Sequence, residues 1–300
     1  MTDTLHLDKR QRAMLAEMGV RVWSPMSEVA VMGAPAVETL AVDTSASSAE
    51  ALPVEAVLQA HADEAHSFAP ASELATQAIA AAAAPILIQR PEGIDHMDWS
   101  ALQTTVSACQ ACALCGSRQN TVFGVGTPAK DGQAPQVDWL FVGEVPNEQE
   151  DDASEPFVGS PGLLFDNMLH AMNLSRTGER TAEGGGVFIT TATKCRTPGN
   201  RNPKPDEMAQ CAAYLERQVA LLQPKMIVAM GRFAVQALLR ESVPELDSTP
   251  YAKLRGRVYR YQNVPVVVTY HPRYVMRDLT EKAKVWADLC LAMAHVKGAE

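Results

Sequence analysis

The stretch Asp138–Asn147, with the sequence DWLFVGEVPN, decides the fold. After Asp138, its first half is a continuous apolar run, and its second half is a turn with glycine and proline that carries an acidic side chain. A short run that is apolar throughout is typical of a strand covered on both faces. Three similar runs follow, namely VFITTA at Val187–Ala192, MIVAM at Met226–Met230 and VPVVVTY at Val264–Tyr270. Together with DWLFV at Asp138–Val142, they predict a sheet of four strands.

The segments between and after these strands have the apolar periodicity of helices. They are Gly162–Met172, Pro205–Leu222 and Arg232–Arg240, followed by a last segment at Thr280–His295. Strands that alternate with helices are typical of a parallel sheet covered by helices on both faces. We therefore predict an α/β fold, in which residues 98–300 form a three-layer α/β/α domain with a central parallel, four-stranded sheet.

A polar motif follows each predicted strand: GEVPN, TKCR, GR and HPR, in that order. Ligands of open α/β sheets bind outside the carboxyl ends of the strands, so we expect a site at this edge. Glu144, framed by glycine and proline, is a candidate base, water-holding group or cation stabiliser. His271, followed by proline, is a candidate hydrogen-bond donor to a developing anion. The alternatives are a solvated acidic turn and a structural histidine.

Five of the six cysteines fall into two groups that are distant in the sequence. Cys109, Cys112 and Cys115 stand in CQACALC, and Cys195 and Cys211 lie sixteen residues apart. Four thiolates brought together from such groups bind either zinc or an iron–sulfur cluster, and their spacing does not choose between the two. The alternative is a set of buried free thiols.

Basic side chains gather near the same strand ends. Arg196, Arg201 and Arg273 are the candidates for a phosphate-binding rim. Such a rim attracts a polyanion by charge, independently of its sequence. The alternative for each arginine is an ordinary solvated surface charge.

In this order, the motifs resemble those of the iron–sulfur uracil-DNA glycosylases, the family 4 branch of the uracil-DNA glycosylase superfamily. The blocks that carry the resemblance lie within about Ala108–Ala294. They are CQACALCGSRQNTVFGVG, DWLFVGEVPNEQEDDASEPFVGSPGLLFDNML, VFITTATKCRTPGNRNPKP, IVAMGRFAVQALL, LRGRVY and VVTYHPRY. The resemblance implies a monofunctional DNA repair enzyme that hydrolyses the N-glycosidic bond of uracil in base excision repair. We also expect no lyase activity, because no lysine of the strand-end motifs is expected to act as a Schiff-base nucleophile.

The resemblance also implies roles for individual residues. Glu144 would be the catalytic acidic residue, Phe157 would stack on the extruded uracil, and His271 would stabilise negative charge on the departing base. Gly143 and Pro146 would belong to the base-binding motif. Cys109, Cys112, Cys195 and Cys211 would hold a structural [4Fe-4S] cluster, with zinc as the alternative occupant.

At three positions the chain departs from the family pattern. Asn147 replaces a glycine that lines the pocket, and Arg273 replaces a serine or alanine, where it would grip a phosphate or block the path of DNA. Thr191 replaces an asparagine that reads the uracil edge, and one hydroxyl does not make the two-point contact of an amide. These departures favour two alternatives: a non-catalytic DNA-binding protein on the same scaffold, or a glycosylase for another damaged base.

The N-terminal third differs from the rest of the chain. Residues 1–97 hold 5 Lys/Arg and 13 Asp/Glu, whereas the remainder holds 21 and 22. The polar start and the absence of an apolar run of about 18 residues predict a cytoplasmic protein with no membrane segment. With the function that the resemblance implies, we expect a monomer that is associated with the nucleoid. Residues 1–25 predict a short helical peptide, either a docking motif or a frayed end, and residues 26–97 predict an Ala-rich, acidic, disordered linker.

MLAEMGVRVW resembles the N-terminal peptide of the psi subunit of the bacterial replicative polymerase, which implies a clamp-loader contact through residues 8–24.

Overall fold

The computed structural model describes residues 90–130, 132–178 and 185–298. The predicted helical peptide at residues 1–25 and most of the predicted linker at residues 26–97 lie outside the described residues. The folded part starts ahead of residue 98, because Ile94, in a 3-10 helix at Ile94–His96, is buried in the hydrophobic core. No helix in the described ranges is both long enough and apolar enough to cross a membrane.

One sheet of six strands runs through the described residues in the order β1-β3-β2-β4-β6-β5. In chain order, the strands are β1 (Val125–Gly126), β2 (Trp139–Gly143), β3 (Val187–Thr191), β4 (Met226–Met230), β5 (Val258–Tyr261) and β6 (Val264–Thr269). The central strands β3, β2, β4 and β6 are parallel, and β1 and β5 pair with the outer two in antiparallel fashion. The sheet is therefore mixed.

Helices cover both faces of this sheet. In chain order, they are α1 (Trp99–Ser107), α2 (Glu148–Ala153), α3 (Gly159–Ala171), α4 (Pro205–Leu222), α5 (Arg232–Leu239), α6 (Tyr251–Leu254), α7 (Pro272–Arg277) and α8 (Lys282–Gly298). Buried residues of α1, α4 and α5 form one core with the sheet, and those of α3, α7 and α8 form a second. Leu140 and Val142 of β2 face the first core, whereas Trp139 and Phe141 face the second, which explains why the strand is apolar throughout.

The predicted three-layer α/β fold and its four parallel strands are confirmed, and the sheet extends beyond them. It has six strands and is mixed, rather than four-stranded and purely parallel. β1 has only two residues, too few for a recognisable pattern. β5 has the sequence VYRY and is partly exposed along its length, so it lacks the continuous apolar run of the central strands.

The carboxyl ends of the four parallel strands meet at one edge of the sheet. The strand register places Gly143 beside Thr191, and Met230 beside Thr269. The polar motifs that follow these strands therefore share one edge, as expected for an open α/β sheet.

Candidate active site and cysteine pocket

Glu144 directly follows β2, and the N-terminus of α5 holds its carboxylate. Oε1 accepts a hydrogen bond of 2.9 Å from the backbone N–H of Arg232, and the backbone N–H of Phe233 is a second donor. Burial raises the pKa of the Glu144 carboxyl, while these donors and the charges of Arg273 and Arg232 oppose the rise. The backbone N–H groups at a helix start are natural partners of an anion, so this site holds a carboxylate in one fixed position.

Gly231 leaves room for this carboxylate. Its φ is 100°, and a Cβ atom at this position would lie 2.4 Å from Cγ of Glu144. The backbone N–H of Gly231 also donates to the carbonyl of Thr269 at 3.1 Å and to the hydroxyl of Tyr251 at 3.0 Å. The position requires glycine because both the backbone conformation and the space exclude a side chain.

His271 is buried at the N-terminus of α7, and its tautomer is set by a backbone contact. Nδ1 accepts a hydrogen bond of 3.1 Å from the backbone N–H of Arg273. The neutral ring therefore carries its proton on Nε2. Burial, assisted by the charge of Arg273, lowers the pKa of His271 to about 3. His271 is thus a neutral hydrogen-bond donor at ordinary pH.

Phe157 lies beside His271 and is only 2% exposed. Its ring stacks on Phe165, with centroids 4.5 Å apart, and on His271, with centroids 4.9 Å apart. Gly143 permits this close approach, since a Cβ atom there would lie 2.9 Å from Cζ of Phe157. With two stacked partners already present, a planar ligand stacks on this ring only if one of them moves.

Glu150 holds the loop that carries Phe157 by hydrogen bonds. The sequence pattern alone did not single out Glu150. Its buried carboxylate accepts hydrogen bonds from the backbone N–H of Phe157 at 2.6 Å and of Asn147 at 2.8 Å. Nη2 of Arg273 lies 3.5 Å from the same carboxylate. The available signal was the spacing Asn-x-x-Glu, which is a capping-box pattern.

Asn147 and Thr191, two of the departures from the family pattern, have structural partners. Oδ1 of Asn147 accepts a hydrogen bond of 3.0 Å from the backbone N–H of Glu150 and caps α2. Thr191 is buried, and its hydroxyl donates to the carbonyl of Thr193 at 2.7 Å. Pro146, in the same turn as Asn147, is buried as well. The asparagine acts as a helix cap here, a position for which it is among the preferred residues.

The three arginines predicted for a phosphate rim all have carboxylate partners. Arg196 contacts Glu148 at 2.9 Å, and Arg201 makes two hydrogen bonds, of 2.6 and 2.8 Å, to Glu207. Arg273 contacts Glu150, as described above. Their side chains are 20%, 35% and 35% exposed, respectively. Phosphate contacts of these arginines stay a prediction, and a phosphate would compete with the carboxylates.

All five cysteines of the two sequence groups line one small pocket. They are Cys109, Cys112, Cys115, Cys195 and Cys211. Burial raises the pKa of Cys195 to about 12 and that of Cys211 to about 11. In the ranges described, no three or more His, Cys, Asp or Glu side chains form a group that could hold a single metal ion. Cys290 is not among the residues of this pocket and belongs to α8.

The surroundings of the pocket fit a group that accepts hydrogen bonds at sulfur. Nη1 of Arg118 donates to Sγ of Cys195 at 2.9 Å, and the backbone N–H of Lys194 donates to Sγ of Cys211 at 3.4 Å. The hydroxyl of Tyr214, which lines the same pocket, interacts with Cys109. Hydrogen bonds to the sulfurs are among the means by which proteins tune iron–sulfur clusters. Arg118 was not predicted, although its place within the cysteine-rich block was a signal.

Comparison with known proteins agrees with these features. Residues 129–290 match the family described as the uracil DNA glycosylase superfamily. A type-4 uracil-DNA glycosylase of Archaeoglobus fulgidus is 35% identical over 175 residues, which cover 57% of this chain and 79% of the relative. The type-4 enzyme of Pyrobaculum aerophilum is 33% identical over 198 residues (65% and 93%), and that of Thermotoga maritima is 31% identical over 197 residues (64% and 91%). The chain therefore belongs to the uracil-DNA glycosylase superfamily, in its type-4 branch.

Proposed function

We propose that the protein is a monofunctional DNA glycosylase that hydrolyses the N-glycosidic bond of uracil in DNA, the first step of base excision repair. The observation that carries the proposal is the pairing of two groups at one sheet edge. One is the Glu144 carboxylate, fixed by the start of α5. The other is the neutral donor His271. Hydrolysis of this bond needs a group of each kind.

The proposed reaction separates charge. A base inside a duplex is out of reach, so the nucleotide must be extruded or presented in a single strand. As the bond to the base breaks, positive charge builds on the sugar and negative charge on uracil. Glu144 stabilises the positive charge and positions the attacking water, and Nε2–H of His271 donates to an oxygen of the departing anion. Because His271 is already neutral, it stabilises this anion without having to transfer a proton.

The absence of lyase activity is part of this proposal. Lys194 is a lysine that follows a central strand, but it is buried, and its amine donates to the hydroxyl of Thr190 at 2.6 Å and to the carbonyl of Thr191 at 2.9 Å. A Schiff-base nucleophile must reach the sugar carbon, and these bonds hold the amine inside the protein.

The test is an excision assay with the full-length protein, purified without oxygen. The substrates are single-stranded and duplex oligonucleotides that carry one uracil, with matched cytosine and thymine oligonucleotides as controls. Abasic sites that form only at uracil support the proposal. Binding without release of any base would instead support a DNA-binding protein on the glycosylase scaffold.

A second candidate function is the release of another damaged base. It is favoured by the Thr191 hydroxyl, which is directed to Thr193 and supplies no two-point amide contact to a base edge. Hypoxanthine and modified uracils in the same oligonucleotide context distinguish the two functions, because release of one of these bases without release of uracil would establish the second.

The pH dependence of excision should follow Glu144 and not His271. The anion of Glu144 is the active form, and burial raises the pKa of this carboxyl above its ordinary value of 4.5. The rate should therefore fall as the pH drops through that raised pKa, while His271 stays neutral down to about pH 3. Single-turnover rates between about pH 4 and about pH 9 measure this profile. An acid limb that persists unchanged in His271→Gln supports the assignment, and a limb abolished by His271→Gln contradicts it.

His271→Ala should lower the single-turnover rate of uracil excision by about 10²- to 10³-fold, the usual effect of losing one donor to a developing anion. His271→Gln retains an amide donor and should recover part of the rate. Thermal unfolding of both variants is the control for stability. Equal excision rates for His271→Ala and His271→Gln, both far below the wild-type rate, would contradict a role for hydrogen-bond donation from this position.

For the cysteine pocket we propose a [4Fe-4S] cluster held by Cys109, Cys112, Cys195 and Cys211. The support is the lining of one pocket by both cysteine groups, together with the N–H groups that point at two of the sulfurs. When bound, such a cluster supplies a structural cross-link. Zinc is the alternative occupant, since it also accepts four thiolates, although the described cysteines are not grouped around a single metal ion.

The oligomeric state, the cellular location and a partner of the N-terminal segment are further proposals. We propose a monomer in the cytoplasm, associated with the nucleoid, with a clamp-loader contact through residues 8–24. The support for the clamp-loader contact is the apolar spacing of Met14, Leu15 and Met18 within a basic segment. A synthetic peptide of residues 1–25, titrated into purified clamp loader, tests the contact. An unchanged affinity after substitution of the three apolar residues by serine would contradict it.

A further inference from the structure

The hydroxyl of Tyr251 joins the start of α5 to the end of β6. It donates to the carbonyl of Thr269, the last residue of β6, at 2.5 Å, and it accepts from the backbone N–H of Gly231 at 3.0 Å. The same N–H also donates to the Thr269 carbonyl at 3.1 Å, so the three groups form a closed triangle of hydrogen bonds. Because Gly231 immediately precedes α5, this triangle connects the first turn of the helix to the strand.

The strand end to which Tyr251 is joined is itself held in place. Thr269 is fully buried, and its hydroxyl donates to the buried carboxylate of Asp288 in α8 at 2.7 Å. Arg255 donates to the same carboxylate at 2.8 Å, and its guanidinium lies 4.4 Å from the ring centroid of Tyr270, which follows Thr269. Buried polar groups that are hydrogen-bonded to one another restrain each other's positions. Thr269 therefore offers a fixed anchor for the Tyr251 hydroxyl.

On the other side of the triangle, the start of α5 holds the Glu144 carboxylate. Arg232, which follows Gly231, donates its backbone N–H to Oε1 of Glu144 at 2.9 Å, and Phe233 supplies the second donor. The packing here is close, because a Cβ atom on Gly231 would lie 2.4 Å from Cγ of Glu144. A small displacement of this turn therefore moves the donors and, with them, the carboxylate. The Tyr251 hydroxyl thus acts on Glu144 through one intervening turn of backbone.

The Tyr251 hydroxyl is suited to this place because it keeps its proton. It donates to Thr269 and accepts from Gly231 at the same time, which a phenolate does not do. Desolvation raises the pKa of Tyr251 above its ordinary value, and the charge of Glu144 adds to the rise. The hydroxyl therefore stays neutral over the pH range of an excision assay.

We propose that Tyr251 is a positioning residue for the Glu144 carboxylate: its hydroxyl joins the first turn of α5 to the end of β6 and so places the carboxylate at the reacting sugar. The proposal rests on the glycosylase function. Tyr251 acts through the backbone of Gly231 and α5, and not by contact with the reacting atoms. A misplacement of about 1 Å, caused by a change far from the chemistry, lowers a rate by up to about 100-fold, so the loss of one hydroxyl should be measurable.

The experiment compares Tyr251→Phe, which removes the hydroxyl and keeps the ring, with Tyr261→Phe as the matched control. Tyr261 is the last residue of β5 and lies beside the start of β6, far from the carboxyl end of that strand. Single-turnover rates on a uracil oligonucleotide are measured for the full-length protein, purified without oxygen. Each substitution is made in the wild type and in the Glu144→Gln and His271→Gln variants. Thr269→Val, which removes the bond to α8, is a second variant of the same anchor, and thermal unfolding of every variant is the control for stability.

Tyr251→Phe should lower the wild-type rate by about 10- to 100-fold, Thr269→Val should act in the same direction, and Tyr261→Phe should change the rate by less than about twofold. The effect of Tyr251→Phe should persist with His271→Gln and should shrink to less than about twofold with Glu144→Gln, because groups that act as a unit are non-additive. An unchanged rate in Tyr251→Phe, or an equal loss in both backgrounds, would overturn the positioning role.

The pH profile gives a readout that a loss of stability alone does not move. The donors at the start of α5 oppose the rise in the pKa of the Glu144 carboxyl, so weaker donation lets this pKa rise further. The anion is the active form, and the acid limb of the excision rate should therefore move to higher pH in Tyr251→Phe. A limb that stays in place, together with a lowered rate, would also overturn the positioning role.

Hydrogen exchange at the backbone N–H groups of Arg232 and Phe233, followed by mass spectrometry, tests the contact without any substrate. Exchange should become faster in Tyr251→Phe and stay unchanged in Tyr261→Phe. If the wild type releases no uracil while exchange depends on Tyr251, the glycosylase proposal falls and the connection between Tyr251 and α5 stands. If uracil is released and Tyr251→Phe changes neither the rate nor the exchange, the positioning role falls alone.

Discussion

Glu144→Gln should lower the single-turnover rate of uracil excision by about 10²- to 10⁴-fold. The amide is nearly isosteric with the carboxylate, and its oxygen still accepts the backbone hydrogen bond from Arg232. The site therefore keeps its shape and loses its negative charge. That charge is what opposes the positive charge on the sugar and orients the attacking water, so the loss should appear in the chemical step.

Glu148→Gln is the matched control. Glu148 lies four residues from Glu144 in the same block, but it is exposed and paired with Arg196 at 2.9 Å. The same chemical change there should alter the rate by less than about threefold, since surface ion pairs contribute little. Rates are measured with enzyme in excess over a uracil oligonucleotide, and affinity for the intact substrate is measured separately. Similar losses in both variants, or none in Glu144→Gln, would remove Glu144 from the mechanism.

The parts of the fold that were predictable from sequence are those with a local signal. β2 and β4 are buried on both faces and therefore apolar throughout, and α4 was predicted with the observed bounds. β1 and β5 carry no such signal, because one is two residues long and the other is partly exposed. Edge strands depend on pairing with a neighbour, which a local pattern does not encode.

The candidate site was predictable only in the groups that closely follow the central strands. Glu144 and His271 stand in recognisable turns after strands, and the structure places both at the expected edge. Glu150 and Asp151 instead lie in the acidic run EQEDD, which is typical of a solvated helix start, yet both are buried. Asp151 accepts hydrogen bonds from the backbone N–H groups of Gln119 and Asn120, at 2.8 and 3.0 Å. Such long-range partners are visible only after folding.

Two departures from the family pattern share one network. Asn147 caps α2, and the Glu150 side chain of that helix contacts Arg273. Arg273 in turn orients His271 through its backbone N–H. The two substitutions are thus linked through a single buried carboxylate. The guanidinium of Arg273 thus has a carboxylate partner within the protein, at 3.5 Å, without a phosphate contact.

Cys195→Ser should remove the proposed cluster and lower the midpoint of thermal unfolding by about 10 °C, which corresponds to a loss of a few kcal/mol in a domain of this size. Sγ of Cys195 is held by Arg118, whose other nitrogen donates to the carbonyl of Cys109 at 2.7 Å. The cysteine pocket therefore joins the segment before β1 to the segment after β3. Gln119 and Asn120 of the segment before β1 also donate to Asp151 in α2, so loss of the cross-link should loosen this helix, which carries Glu150.

Cys290→Ser is the control, because Cys290 does not line the pocket. It should keep both the unfolding midpoint and the broad absorbance near about 400 nm that an iron–sulfur cluster produces. Iron, sulfide and zinc are quantified in the same anaerobic preparations. Four irons and four sulfides per wild-type chain, absent from Cys195→Ser, establish the cluster. One zinc per chain with no visible absorbance would replace it by the alternative occupant, and no metal at all would leave five free thiols, three of them buried. In that last case the pocket would contribute packing alone, and Cys195→Ser should unfold close to the wild-type temperature.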